Sequence, residues 1–91
     1  MEIIHRKLKI TGKVQGVYYR VSAKAAAEKL GIFGAVKNEP DGSVYAEAEG
    51  GKQSVLDFID WCKSGSENAV VEQVIVENGE IKGYKDFQIL R

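Results

Sequence analysis

Along residues 4–14 apolar side chains fall on even positions, Ile4, Leu8, Ile10 and Val14, while His5, Lys7 and Lys9 occupy odd ones. A period of two is that of a β-strand with one face on a core and the other in water. Arg6 interrupts the alternation once. On this pattern His5, the single histidine, is expected at the wet surface. A loop containing Gly12 and Gly16 follows, and the alanine-rich residues 21–30 predict a helix that Gly31 ends.

Residues 33–38, the Glu39-Pro40-Asp41-Gly42 turn and residues 43–49 read as two strands of a hairpin, with Val44, Ala46 and Ala48 alternating against Tyr45, Glu47 and Glu49. Between residues 52 and 63 the period lengthens. Val55, Phe58, Ile59 and Cys62 follow the i, i+3, i+4, i+7 spacing of a helix lying on a sheet, with Asp57, Asp60 and Lys63 outside. Phe58, Trp61 and Cys62 are thus expected in or beside the core. Residues 70–77 are β-branched and strand-like, Asn78-Gly79 signals a turn, and residues 87–90 can supply a short last strand. The order is βαββαβ with a C-terminal β addition. It predicts an α+β ferredoxin-like sandwich, an antiparallel sheet carrying both helices on one face. That fold hosts many unrelated activities, so function must be argued from a site.

With 91 residues the chain is expected to form one domain over residues 1–91. Its one cysteine excludes an intramolecular disulfide, and one His beside one Cys cannot build the usual zinc site. No metal or cofactor is expected. No apolar run approaches the roughly 20 residues that span a bilayer, and the N-terminus lacks the apolar segment of a signal peptide. No membrane partner is therefore expected, and a reducing cytoplasm fits best. Thirteen basic and thirteen acidic side chains cancel, which argues against a partner held by phosphate-backbone electrostatics.

The informative segment is Gly12-Lys13-Val14-Gln15-Gly16-Val17-Tyr18-Tyr19-Arg20, which leaves a strand and runs into the first turn of a helix. A helix N-terminus carries about half a positive charge and up to four unpaired N–H donors, and a glycine-permitted curl turns further amides inward. Phosphate suits such a place, and the planar Arg20 guanidinium can clamp it through two bonds. The alternative is a glycine turn followed by a solvated arginine. Asn38 likewise either starts the following turn or, near the loop that begins the first helix, holds a water through its amide. Tyr18 either borders the mouth of such a site or caps the sheet. A Pro-Asp-Gly turn accounts for Asp41, so Glu39 and Asp41 need not be a carboxylate pair.

Residues 10–20 resemble the first acylphosphatase signature, and Gly34 through Asn38, with Gly42, Val44 and Gly50 at their spacings, resemble the second. The likeness runs over essentially the whole chain. It implies that Arg20 binds the phosphoryl group with the loop amides of Gln15, Gly16, Val17, Tyr18, Tyr19 and Arg20, while Asn38 orients the attacking water. Three positions depart from the pattern: Tyr19 stands where Phe is usual, Ala35 where an aromatic is usual, and Ser66 where Pro is common.

The implied reaction is metal-independent hydrolysis of small acyl phosphates, by a chain expected to be a monomer, with inorganic phosphate or sulfate as competing anions. It needs no side-chain general acid, because the leaving carboxylate belongs to an acid of pKa about 4. Two other readings are open. One is a module handling carbamoyl phosphate for a larger assembly, against which the end at Arg91 without a zinc-finger segment speaks. The other is an RNA-binding module, which needs stacking aromatics where these central strands present Lys, His, Ala and Glu.

Overall fold

The computed structural model describes residues 2–91. Its elements are β1 (Ile3–Lys13), α1 (Tyr19–Leu30), β2 (Phe33–Asn38), β3 (Val44–Gly51), α2 (Lys52–Ser64), β4 (Val70–Asn78) and β5 (Phe87–Ile89). They form one five-stranded sheet in the order β4-β1-β3-β2-β5. The ferredoxin-like sandwich stands, with β1 and β3 paired at the centre from Ile3↔Gly51 to Ile10↔Val44. One feature differs from the expected all-antiparallel sheet. β5 joins the outer edge of β2 in parallel, matching Gly34 to Phe87 and Val36 to Ile89, so the sheet is mixed.

The core lies between the sheet and the two helices. Leu8, Ile10, Val36, Val44, Ala46 and Ala48 from the strands meet Ala23 and Ala27 of α1 and Val55, Phe58 and Cys62 of α2, all buried. Alanines on both the central strand and α1 let helix and sheet approach closely, and α2 supplies the bulk. Each buried Leu, Ile or Phe contributes about 1.5–3 kcal/mol over its exposed state. Trp61 sits at the margin of this cluster, stacked near Phe58 and tilted against Tyr19.

β1 and β2 run in the same direction, since both pair antiparallel with β3. Their C-terminal ends therefore lie on one edge of the sheet, together with that of β5. Near that edge β1 carries a bulge between Thr11 and Gly12 against β4. Gly12 has φ +118°, and a Cβ there would come within 2.2 Å of the Val70 carbonyl oxygen, so only glycine fits.

His5 is not at a wet surface. It is 1% exposed, with Nδ1 2.8 Å from Glu49 Oε1 and Nε2 2.7 Å from Glu47 Oε1. The reason is topological. β4 and β5 occupy opposite edges of the sheet, so residues 79–86 must cross a face, and the helices already fill the other one. The crossing segment lays Tyr84 parallel to the His5 ring and brings the amides of Lys82, Gly83 and Tyr84 within 2.7–3.0 Å of the Glu49 carboxylate. Lys82 Nζ reaches Glu47 at 2.7 Å. Burial pushes both carboxyls up. For Glu49 the Lys82 amide, His5 and the Tyr84 and Gly83 amides outweigh it, and for Glu47 the bonds from Lys82, His5 and Tyr45 do, so both are held below the usual carboxylate range.

Candidate active site

The segment between β1 and α1 gathers donors that the fold leaves without acceptors. Among the described residues, the backbone amides of Gln15, Gly16, Val17 and Tyr18 find no acceptor within the chain. α1 opens on Tyr18 without a side-chain cap and without an acidic residue in its first turn. The first-turn amides and the positive end of the helix dipole therefore face outward unneutralised. Gly16 at φ +74° and Tyr18 at φ +61°, ψ +24° give the loop its curl. Tyr18 is the one non-glycine residue with positive φ among the described residues, a conformation costing on the order of 1–2 kcal/mol.

A cavity of about 340 Å³ opens against this curl, lined by Val14, Gly16, Tyr18, Tyr19, Arg20, Val21, Asn38 and Ile89. The two side chains expected to carry the chemistry, Arg20 and Asn38, thus share one cavity, reached from α1 and from the C-terminal end of β2. Asn38 Oδ1 is the buried side-chain polar atom without a hydrogen-bond partner among the described residues. Such an atom costs about 1–3 kcal/mol unless something polar meets it. Arg20 Nη1 lies 3.4 Å from the Leu90 carbonyl, a long contact that leaves most of its five donors for other partners.

The remaining expected site residues divide. Gly16, Tyr18 and Tyr19 line the cavity; Tyr18 is 77% exposed, at its mouth rather than capping the sheet. Gln15 and Val17 do not line it. The Gln15 side chain donates to the Glu39 and Ser43 carbonyls at 2.8 and 2.9 Å, tying the loop to the turn that follows Asn38. Val17 is buried. Asp41 accepts from the Ser43 amide and hydroxyl and pairs with Lys9, as a turn residue does.

Sequence reasoning missed the contribution of β5. Parallel pairing of Val36 with Ile89 carries the chain end to the Asn38 end of β2, where Ile89 forms a wall and Leu90 accepts from Arg20. The apolar 87–90 segment was visible, but its edge and direction were not.

Two of the three departures, Tyr19 and Ser66, make side-chain hydrogen bonds of their own. The Tyr19 hydroxyl donates to the Cys62 carbonyl at 2.8 Å, satisfying one of the last carbonyls of α2. Burial and the adjacent Cys62 hold this phenol protonated, well above its ordinary range, and burial pushes the Cys62 thiol up to about 12. Neither group exchanges protons near neutrality. Ala35 is buried on β2 directly opposite Glu47. Ser66 donates to the Val17 carbonyl at 2.8 Å.

Residues 6–89 match the family model Acylphosphatase. The chain belongs to the acylphosphatase family. It is 46% identical to the acylphosphatase of Acaryochloris marina over 89 residues, 98% of this chain and 96% of that one. The crystal structure of acylphosphatase from Bacillus subtilis superposes with a TM-score of 0.94 at 30% identity, covering 99% and 100% of the two chains. A segment of full-length HypF, in its phosphate- and nucleotide-bound form, is also similar to this chain. There the TM-score is 0.88 at 31% identity, over 99% of this chain and 12% of that one. Among the described residues of this acylphosphatase-family chain, no helix is long and apolar enough to cross a membrane.

Proposed function

We propose that this chain hydrolyses the carboxyl–phosphate bond of small acyl phosphates in the cavity between the β1–α1 loop and Asn38. As a family member it is an acylphosphatase, yielding carboxylate and inorganic phosphate. The observation that carries the residue assignment is the convergence of Arg20, the uncapped start of α1 and the partnerless Asn38 Oδ1 on one cavity.

Phosphoryl transfer through a loose transition state asks for charge neutralisation on the equatorial oxygens and for a water in line with the leaving group. Arg20 and the amides of residues 15–20 do the first. Asn38 does the second, its Oδ1 accepting a hydrogen bond from the water and aiming a lone pair of that water at phosphorus. The proton goes to a phosphoryl oxygen of the substrate, and the carboxylate leaves unprotonated. The chain works as a monomer in the cytoplasm, and inorganic phosphate and sulfate compete with the substrate for the loop.

Relatives matched over nearly their whole length bear the acylphosphatase name, which favours direct hydrolysis over a module serving a larger carbamoyl phosphate enzyme. The open face, where an RNA-binding sheet would stack bases, holds the buried His5, Glu47 and Glu49 under residues 79–86. The purified chain should release phosphate from benzoyl phosphate at an undiminished rate with EDTA present. No release, or release abolished by EDTA, contradicts the proposal.

A further inference from the structure

Ser66 lies in the connection between α2 and β4, outside the cavity, yet its hydroxyl donates to the Val17 carbonyl at 2.8 Å. That carbonyl is one end of the peptide unit whose other end is the Tyr18 amide. The peptide is trans, so the two groups point in opposite directions. The Val17 carbonyl faces Ser66, which does not line the cavity, whereas Gly16, Tyr18 and Tyr19 do. Tyr18 itself is held in the left-handed region at φ +61°, which a residue with a Cβ adopts only under constraint. A second bond from the same helix end, the Tyr19 hydroxyl to the Cys62 carbonyl, anchors the next residue.

We infer that Ser66 is a positioning residue for phosphoryl binding: by holding the Val17 carbonyl outward it aims the Tyr18 N–H into the cavity. The inference rests on the anion-binding reading of the loop. The Ser66 bond also polarises the peptide, so the Tyr18 amide is a better donor than an isolated one. Without the hydroxyl, the Val17–Tyr18 peptide is free to rotate and present its carbonyl, an acceptor, to an anion.

The test compares Ser66→Ala and Ser66→Thr with the parent chain in three measurements: inorganic phosphate affinity, the Tyr18 amide resonance during that titration, and kcat and KM with benzoyl phosphate. Ser66→Ala should weaken phosphate binding and raise KM by about tenfold, the size of one net hydrogen bond, with a smaller change in kcat. Its Tyr18 amide should respond less to phosphate. Ser66→Thr, which keeps the hydroxyl, should restore affinity and the Tyr18 response. A melt of each variant separates positioning from folding. If folded Ser66→Ala binds phosphate as the parent does, with an unchanged Tyr18 response, the positioning role is overturned while the loop site stands. If phosphate leaves Tyr18 unmoved in the parent chain, both the loop reading and the role of Ser66 fall.

Discussion

Two polar clusters sit at opposite ends of the same sheet and on opposite faces, and they treat hydrogen bonds in opposite ways. His5, Glu47 and Glu49 are buried with each polar group met: both ring nitrogens by carboxylates, one carboxylate by three amides, the other by Lys82. At the other end, about five residues or roughly 16 Å along the strands, loop amides lack acceptors, Asn38 Oδ1 lacks a donor and Tyr18 is strained. A charged cluster bonded by its own chain has few hydrogen bonds left to offer a ligand. The unsaturated end has them to offer: on the proposed function a phosphoryl group supplies acceptors for the amides and the attacking water supplies a donor for Asn38 Oδ1.

Substitutions at the two ends should therefore fail differently. The largest effect is expected for Arg20→Lys. A point charge cannot reproduce two charge-assisted bonds worth about 1.5–3 kcal/mol each, so kcat/KM should fall about a thousandfold while the melting temperature stays within a few degrees. Near-normal turnover in the folded variant would remove Arg20 from the site.

Next comes the saturated cluster. His5→Ala takes a hydrogen-bond partner from each of two buried carboxylates, a loss of about 1.5–3 kcal/mol apiece. In a domain of this size that lowers the melting temperature by roughly 12 °C or more. Well below its melting point, the variant should keep the kcat of the parent. A loss of kcat with unchanged stability would show that the two ends are coupled.

Asn38→Ala should lower kcat by about thirtyfold and leave phosphate affinity almost unchanged, because water positioning acts in the transition state. Equal losses in both would make Asn38 a phosphate ligand or a turn residue.

The mildest perturbation near neutrality is pH. Glu47 and Glu49 have folded pKa values held below the unfolded one. Their contribution is thus complete above the ordinary glutamate range, about 4.3, and is lost as pH falls through and below it. Denaturant midpoints should be flat from pH 7 to 6 and fall below about 5. In Glu49→Gln, which ionises no longer, the acid fall should be shallower.

These two ends also differed in how legible they were from sequence. The loop was readable because its parts are neighbours in the chain: two glycines, an arginine and a helix start within nine residues. The strands and α2 followed from their periods, since Val55, Phe58, Ile59 and Cys62 are indeed the buried positions of α2. His5 was misplaced because a period of two assigns a residue to a face but says nothing of what later crosses that face. Only the placement of β4 and β5 on opposite edges forces residues 79–86 over it. The parallel pairing of β5, and with it the Ile89 wall and the Leu90 carbonyl, was hidden for the same reason: three residues of strand carry no directional signal. The Ser66 tether joins residues 49 positions apart and leaves no local pattern.

The most direct measurement is a sulfate titration of the parent chain followed through its backbone amide resonances. The account predicts saturable shifts for residues 15–20, competed by inorganic phosphate, while His5, Lys82, Gly83 and Tyr84 stay still. Shifts centred on Lys82 to Tyr84, with residues 15–20 unmoved, would contradict it.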